Sequence, residues 1–258
     1  LDRYRVSIEN FLRQKTFGAF PKVPPSFDSL LVFRTLDDAE FGSDVYSFVS
    51  EEGWRLNVDI RWRNDPSEKN PLMIVLRARD ENRWESEEFI SNLKSDWNLA
   101  FIEVRGVGEF GWDPNLQWHV RRASAWTGRT IASMRVYDVL RCIDFCRTLR
   151  GVDPEGIGIA ARDEMTVVAL YSSLLDGKCK TLILKNPPAS QDVASNPDGR
   201  GPAIEMLNCL RVTDVCRLPA LLTNTDIIFI GEIPDSYKWS ENLLIKLGNK
   251  PFARIENL

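Results

Sequence analysis

The stretch that decides the fold runs from Val152 to Ser173 and reads VDPEGIGIAARDEMTVVALYSS. It opens with a turn at Asp153–Gly156, which leads into a short apolar run, Ile157–Ala161. The run breaks at three polar residues, and apolar residues then return at helical spacing. This order predicts a buried strand, a tight turn and a helix.

From Leu72 onward, strand-like and helix-like segments alternate. Continuous apolar runs are typical of strands covered on both faces, and they occur at Leu72–Leu76, Leu99–Val104, Thr181–Leu184 and Asp226–Ile230. Apolar residues at helical spacing predict helices over Trp84–Trp97, Thr130–Leu149, Ala203–Leu210 and Tyr237–Leu247. The alternation predicts an α/β fold with a mostly parallel sheet and helices on both faces.

The N-terminal part has a different pattern. Residues Leu1–Leu12 have the spacing of a short amphipathic helix, and the three prolines within Phe17–Phe27 predict an extended arm on the surface of the domain. Strand-like runs at Leu30–Leu36 and Val45–Val49, and the period of two over Leu56–Trp62, predict antiparallel strands that join the parallel sheet. We therefore expect a helix and proline-rich arm over residues 1–29 and one α/β domain over residues 30–258.

Composition excludes several classes of function. The 258 residues are 27% charged and 43% hydrophobic with a net charge of -4, so there is no basic surface that would indicate a nucleic-acid partner. The five cysteines form no C-x-x-C pair, and we expect neither a disulfide framework, a metal site nor a cofactor. No run reaches the ~18 apolar residues that a membrane span needs, which predicts a soluble chain. The chain begins at Leu1 without methionine or a signal-like segment, which suggests a piece of something longer.

Three further segments carry a resemblance to a known group of proteins. They are Val104–Gly108 (VRGVG), Gly128-Arg129 followed by Met134–Arg141 (MRVYDVLR), and Val152–Gly158 (VDPEGIG). With them, the chain resembles the acetyl xylan esterase-like group of the α/β-hydrolase superfamily over roughly residues 72–247. The resemblance implies an α/β-hydrolase fold, in which antiparallel strands precede a parallel sheet and a nucleophile elbow. It also implies a secreted or periplasmic protein.

The resemblance identifies where a catalytic triad would lie. The superfamily's elbow is a G-x-S-x-G pentapeptide, and the corresponding residues here are Ala161–Met165 (ARDEM). Asp163 therefore occupies the nucleophile position, and aspartate is the nucleophile of some α/β-hydrolases. Those enzymes also need a histidine late in the chain, whereas the single histidine, His119, precedes the elbow. At the position of the triad acid, the segment after the Asp226–Ile230 strand offers Asp235, with Glu232 nearby.

A structural explanation of Asp163 stays open beside the catalytic one. Met165 stands where the elbow motif has a small glycine. We therefore expect the strained elbow to relax into an ordinary connection, with Asp163 as a cap or first-turn carboxylate of the helix.

Arginines supply candidate binding residues. Arg77 and Arg79 follow the first parallel strand, where related enzymes build the oxyanion hole, and could bind an anionic ligand or form a surface charge pair. Arg105 in the VRGVG segment is a further candidate for substrate binding.

Tryptophans supply a second group. Residues 109–128 read as a long connection that holds Trp112 and Trp118, which could stack on sugar rings or pack the loop down. We expect Trp126, which is next to a predicted helix, to be a core residue.

The joint loss of the elbow serine, its glycines and a late histidine favours a degenerate domain. We expect an acetyl xylan esterase-like α/β-hydrolase domain with a structural or carbohydrate-surface role beside a catalytic partner domain in the same polypeptide. Two alternatives stay open. One is an active carbohydrate acetyl-ester hydrolase with an unrecognised nucleophile or a base supplied by a partner. The other is a hydrolase-fold binding module that uses Trp112, Trp118 and the pair Arg77 and Arg79.

Overall fold

A mostly parallel sheet forms the centre of the protein. The computed structural model describes residues 2–36, 41–78, 81, 83–108 and 111–256. Within these residues the sheet has nine strands in the order β1-β2-β3-β5-β4-β6-β7-β8-β9. The strands are β1 (Leu30–Thr35), β2 (Ser43–Glu51), β3 (Trp54–Arg61), β4 (Asn70–Leu76), β5 (Asn98–Ile102), β6 (Val152–Arg162), β7 (Thr181–Lys185), β8 (Asp226–Ile230) and β9 (Ala253–Ile255).

The antiparallel lead-in and the parallel continuation are both confirmed. Strands β1, β2 and β3 pair antiparallel, and β3 pairs antiparallel with β5. From β5 through β4 to β9 each neighbouring pair is parallel. The carboxyl ends of the parallel strands therefore lie along one edge of the sheet, which is where open α/β sheets bind their ligands.

Helices cover the two faces of the sheet. They are α1 (Asp2–Phe11), α2 (Arg83–Ile90), α3 (Pro114–Trp126), α4 (Ile131–Arg147), α5 (Met165–Asp176) and α6 (Lys238–Lys246). A π-helical turn at Leu12–Thr16 follows α1, and short 3₁₀ helices span Cys209–Arg211, Val215–Leu221 and Asp235–Tyr237. No helix in the described ranges combines the length and apolar character needed to cross a bilayer.

Strand β4 shows how the sheet divides the core. Successive strand residues point to opposite faces. Ile74 accordingly joins a large cluster with residues of α4 and α5, while Met73 and Val75 join a second cluster with Phe89 of α2. All of these side chains are fully or almost fully buried, which explains why the apolar run of β4 shows no alternation.

Helix α4 begins where the sequence predicts. Thr130 accepts a hydrogen bond from the Ser133 N–H at 3.1 Å, and the Ser133 hydroxyl accepts one from the Thr130 N–H at 2.8 Å. This reciprocal cap satisfies two backbone donors that the first turn of a helix leaves without partners.

The segment before α4 differs from what the sequence predicts. Residues 109–128 read as a long connection, but Pro114–Trp126 is helix α3. Asp113 caps it, because its Oδ1 accepts hydrogen bonds from the N–H groups of Asn115 and Leu116 at 2.8 and 2.9 Å. Trp126, expected in the core, is 93% exposed at the end of this helix.

Two other helix predictions are wrong: one helix is shorter than predicted, and the other does not form. Helix α2 ends at Ile90, before the Ser91-Asn92 pair, whose residues are poor helix formers. The predicted helix over Ala203–Leu210 is irregular apart from its last residues. There the Ala203 N–H donates to the Glu164 carboxylate at 2.9 Å and the Ile204 carbonyl accepts from Gln191 at 2.6 Å, so side chains replace helical backbone partners.

The N-terminal segment packs on the large cluster. Ile8, Leu12 and Phe17 are buried in it, and the Phe17 ring lies 5.7 Å from that of Tyr171 in α5. Residues 17–29 form neither helix nor strand; residues 17–20 are turns and bends, and residues 24–29 carry no assigned structure. Arg141 fastens the arm by donating to the Pro25 carbonyl at 2.6 Å.

Candidate functional site

The connection between β6 and α5 keeps the strained backbone of an elbow. Asp163, between the two elements, has φ of 51°, a conformation that costs energy for a residue with a side chain. Its N–H donates to the Lys185 carbonyl at 2.9 Å, and its carbonyl accepts from the Thr166 N–H at 3.1 Å. The expectation that the elbow relaxes is wrong. The Met165 side chain is fully buried near Arg135 and therefore does not crowd the turn.

The cap role expected of Asp163 is also wrong. Helix α5 has no side-chain hydrogen bond at its N-cap, which is Glu164. The Asp163 carboxylate forms no hydrogen bond or ion pair with any residue in the described part of the chain, and it is exposed. The strained turn therefore presents this carboxylate to solvent.

Asp163 lies in the wall of a pocket of about 380 Å³, which we call the elbow pocket. It lies at the carboxyl ends of β4 and β6, which meet at one edge of the sheet. Its lining residues are Ala78, Glu81, Glu85, Arg162, Asp163, Glu164, Gly201 and Pro202. Carboxylates outnumber the one arginine in this lining, which gives the pocket an acidic character.

Glu81 accepts a backbone hydrogen bond in the loop after β4. In α/β-hydrolases one donor is the N–H after the elbow residue, and the other lies in the loop after an early parallel strand. After β4, the Ala78 N–H donates to Glu81 Oε2 at 2.6 Å and the Arg77 N–H donates to the Ile102 carbonyl at 3.3 Å. Glu81 is 8% exposed, and its Oε1 lies 2.9 Å from Arg162 Nη2. The N–H groups of Arg77 and Ala78 are therefore both taken within the chain.

Glu164 fastens the elbow to its surroundings. Its Oε1 accepts a hydrogen bond from Arg135 Nη1 at 2.8 Å, and its Oε2 accepts one from the Ala203 N–H at 2.9 Å. Arg135 is 1% exposed and also donates to the Arg105 carbonyl at 3.2 Å. The residue after the nucleophile position thus holds α4, the elbow and the loop after β7 together.

The other two triad candidates lie elsewhere. Asp235 begins a 3₁₀ helix after β8 with 89% of its side chain exposed, and Lys238 Nζ lies 2.7 Å from its carboxylate. The hydrogen bond and charge of Lys238 lower the pKa of Asp235. His119 is exposed on α3, with its ring edge-on to that of Trp118 at 4.8 Å. Neither these two residues nor the exposed Glu232 line the elbow pocket, so of the three catalytic candidates only Asp163 does.

The arginine candidates are engaged by carboxylates of the same chain. Arg77 forms an ion pair with Glu103 and lies over the Phe101 ring. Arg105 is 5% exposed, donates to Asp138 and Glu51, and therefore lies in the interior. Arg79 lies outside the described residues.

The two tryptophan candidates pack against glycines. A Cβ on Gly106 would lie 2.7 Å from the Trp112 ring, and one on Gly199 would lie 2.6 Å from the Trp118 ring. Trp118 Nε1 also donates to the Pro197 carbonyl at 3.2 Å. Both rings are half-buried and hold loops in place.

Sequence reasoning missed Glu81 and Glu164. Glu164 adjoins the elbow, but its two partners come from distant parts of the chain. Glu81 could have been noticed because it is an acidic residue that closely follows the apolar run of β4. The N–H groups at the end of such a strand often lack a backbone partner. Within the described ranges, no three His, Cys, Asp or Glu side chains are grouped as metal ligands would be.

Similarity to known proteins is found in structure and not in sequence. No protein-family model matches the chain, and neither does any curated protein. One similar structure, from Bacteroides fragilis, is assigned as an acetyl xylan esterase. It has a TM-score of 0.78 and 11% identity over 98% of this chain and 73% of its own. The glucuronoyl esterase of Solibacter usitatus has a TM-score of 0.64 and 11% identity over 93% and 77% of the two chains. Acetyl xylan esterase 1 of a Thermoanaerobacterium species has a TM-score of 0.63 and 12% identity over 100% and 87%. The chain therefore has the α/β-hydrolase fold, in the form shared by these esterases, as the VRGVG and elbow segments predict.

Proposed function

We propose that the chain is a catalytically degenerate α/β-hydrolase domain that packs beside a catalytic domain of the same polypeptide. The observation that carries this proposal is the hydrogen bond from the Ala78 N–H to Glu81. An oxyanion hole works by aiming free donors at developing negative charge. A carboxylate in that position takes the donor away and repels the oxyanion as well.

The nucleophile position supports the same conclusion. If Asp163 attacked an ester, the resulting intermediate would need a base to activate water. The one histidine of the chain, His119, is exposed on α3 beside Trp118. The other acids of the elbow pocket would raise the energy of any further negative charge there. Among the described residues, Asp163 therefore has a free carboxylate and no neighbouring histidine to activate water.

Strand β1 supports the packing role. It is an edge strand of the sheet, and all six of its residues are exposed. Leu30, Leu31, Val32 and Phe33 are between 46% and 61% exposed. An apolar edge strand with unpaired backbone groups is a surface that proteins usually cover. We propose that the neighbouring catalytic domain covers it.

Ester hydrolysis tests the degenerate assignment. The purified chain, its Asp163→Asn variant and its Glu81→Gln variant are assayed with 4-nitrophenyl acetate against buffer alone. We expect all three to match the buffer rate. Hydrolysis well above buffer that disappears in Asp163→Asn would show that the elbow is an active nucleophile and would overturn the proposal.

Cross-linking tests the packing role separately. A photo-reactive phenylalanine analogue replaces Phe33 in the natural full-length polypeptide, and mass spectrometry identifies the linked peptides. We expect links to a second α/β domain of that polypeptide. Links only between copies of this domain, or none, would contradict the packing role and leave the assay result unaffected.

A carbohydrate surface on α3 is a second candidate function. Trp126 is 93% exposed, and the helical spacing places Arg122, His119 and Asn115, all exposed, on the same side of α3. Exposed aromatic rings can stack on sugars, and the similar esterases named above suggest xylan fragments as the ligand.

Tryptophan fluorescence tests this second candidate. Titration with xylo-oligosaccharides should give a saturable change that Trp126→Ala removes. The matched control is Trp239→Ala, at a 49% exposed tryptophan of α6, which should keep the response. A flat titration of the unaltered chain would exclude this surface.

A further inference from the structure

A second cavity lies far from the elbow, between the N-terminal arm and the helices α4 and α5. Its volume is about 850 Å³, within the usual range of small-molecule sites, and we call it the arm cavity. One wall comes from residues 13–24 and the other from residues 137–147 and 175–178. It shares no lining residue with the elbow pocket. Since it reaches the ends of α4 and α5 that precede β6 and β7, it lies toward the opposite edge of the sheet.

The lining of the arm cavity carries an excess of positive charge. Its charged residues are Arg13, Lys22, Arg141, Arg147, Lys178, Asp144 and Asp176. Both acids are engaged by Arg147, whose Nη2 lies 2.9 Å from Asp176 and whose Nη1 lies 3.9 Å from Asp144. Lys178 lies 3.4 Å from Glu155. The cavity is therefore basic although the whole chain has a net charge of -4.

Three cations of this lining have no carboxylate within ion-pair distance among the described residues. Arg13 donates to the Leu175 carbonyl, and Lys22 is exposed without an ion-pair partner. Arg141 is 5% exposed and donates only to carbonyls, through Nε to Ser50 at 3.1 Å and through Nη2 to Pro25 and Val49 at 2.6 and 3.4 Å. Burial lowers the pKa of the Arg141 guanidinium, and the neighbouring Tyr137 and Asp144 offset this only in part. A buried cation without a counter-ion is costly, and a bound anion would supply one.

The same cavity has an apolar, aromatic wall. The rings of Phe17 and Phe20 lie 5.1 Å apart, and that of Tyr137 lies 5.0 Å from Phe20. Pro21 and Pro24 add rigid apolar surface from the arm. Phe17 and Tyr137 are almost fully buried and support the wall from behind. A flat apolar group would lie against Phe20 and the arm prolines while a charged group reaches the unpaired cations.

We propose that the arm cavity binds an organic anion, a carboxylate or phosphate carried on an apolar ring, with its charge toward Arg141 and Lys22 and its ring against Phe20 and the arm prolines. The anion supplies the counter-charge that these cations lack among the described residues. The ring explains why the basic groups lie beside aromatic ones. The site is independent of the elbow and does not require the domain to be catalytic.

Calorimetric titration of the whole chain tests the proposal. The probes are benzoate and phenyl phosphate, with inorganic phosphate and neutral benzamide as comparisons. We expect saturable binding of at least one aromatic anion, tighter than that of inorganic phosphate or benzamide and weaker at high salt. Whichever aromatic anion binds more tightly identifies the preferred charged group.

Two lysines of the arm region provide a matched pair of variants. Lys22→Gln removes an exposed, unpaired charge of the cavity and should weaken binding roughly fivefold. Lys15→Gln removes an exposed charge outside the lining and should leave binding unchanged. Neither side chain is buried, so both variants should fold, which circular dichroism checks. The proposal fails if both variants lose the same affinity, if benzamide binds as tightly as the anions, or if no probe saturates below about 10 mM.

Discussion

Asp138 and Arg105 form a buried ion pair that joins α4 to the loop after β5. Arg105 Nη2 and Nε donate to the two carboxylate oxygens of Asp138 at 2.6 and 2.8 Å, and the Arg105 N–H donates to the same carboxylate at 3.1 Å. The Ser50 hydroxyl adds a fourth hydrogen bond at 2.7 Å. The Asp138 side chain is 0% exposed. One carboxylate therefore connects β2, α4 and the VRGVG segment on which the family resemblance rests.

Removing the charge of Asp138 should destabilise the fold strongly. In Asp138→Asn the Arg105 guanidinium stays buried and keeps only Glu51, at 3.1 Å, as a counter-charge. We expect the free energy of unfolding to fall by about 3 kcal/mol, since breaking a buried pair leaves an uncompensated charge. Urea denaturation measures the change. Asp235→Asn, at an exposed aspartate, is the matched control and should leave the midpoint in place; equal midpoints for both variants would contradict the role of the pair.

The strained turn at Asp163 gives a prediction that separates backbone from side chain. Glycine adopts positive φ without the steric cost that a Cβ imposes, whereas alanine bears that cost. We expect Asp163→Gly to be more stable than Asp163→Ala by about 1 kcal/mol, measured as the difference in free energy of unfolding. Both variants lack the carboxylate, so its chemistry cannot cause the difference. Equal stabilities would mean that the turn relaxes when the side chain changes.

Burial of Cys179 predicts a loss of stability at high pH. Desolvation raises the pKa of this thiol to about 11, whereas in the unfolded chain the pKa is about 8.5. The native state therefore favours the neutral thiol. The resulting stability is fully present below the unfolded pKa and is lost as the pH rises through the folded pKa. The shift corresponds to about 3 kcal/mol.

Denaturation midpoints at about pH 8 and pH 10.5 check this prediction. Other buried groups also ionise in this range, so the comparison is with Cys179→Ala. The variant lacks the titrating thiol and should lose less stability between the two pH values than the unaltered chain. The same loss in both would show that Cys179 does not contribute.

Several elements could be predicted from sequence because burial on both faces requires a continuous run of apolar residues. The run Asp226–Ile230 has the bounds of β8, since a parallel strand covered on both faces must be apolar throughout. Helix α3 could also have been found, because Asp113-Pro114 is a good start signal, but the tryptophans around it suggested a loop.

The elbow was harder to predict for a physical reason. The resemblance places Asp163 at the nucleophile position, but the sequence could not show that the Met165 side chain enters the core near Arg135 and leaves the turn strained. The partners of Arg77 and Arg105 are equally invisible, because Glu103 and Asp138 reach them only after the sheet has formed. Glu81 acts through a backbone N–H, for which a sequence has no residue-type signal.

The exposed edge strand β1 gives a last prediction. Val32 is 61% exposed and lies at an irregularity where the register with β2 shifts between Leu31 and Phe33. A lysine there removes no buried contact and places a charge on the edge, which natural proteins use to prevent sheet-to-sheet association. In the isolated domain, where no neighbouring domain covers the edge, Val32→Lys should reduce concentration-dependent association in sedimentation velocity and leave the urea midpoint unchanged. The matched control is Val23→Lys in the arm, at an 84% exposed valine outside the sheet, which should leave association as it is. If both lysines reduce association equally, the change in net charge is responsible and the edge strand is not. If only Val32→Lys reduces it, the molecules associate through β1.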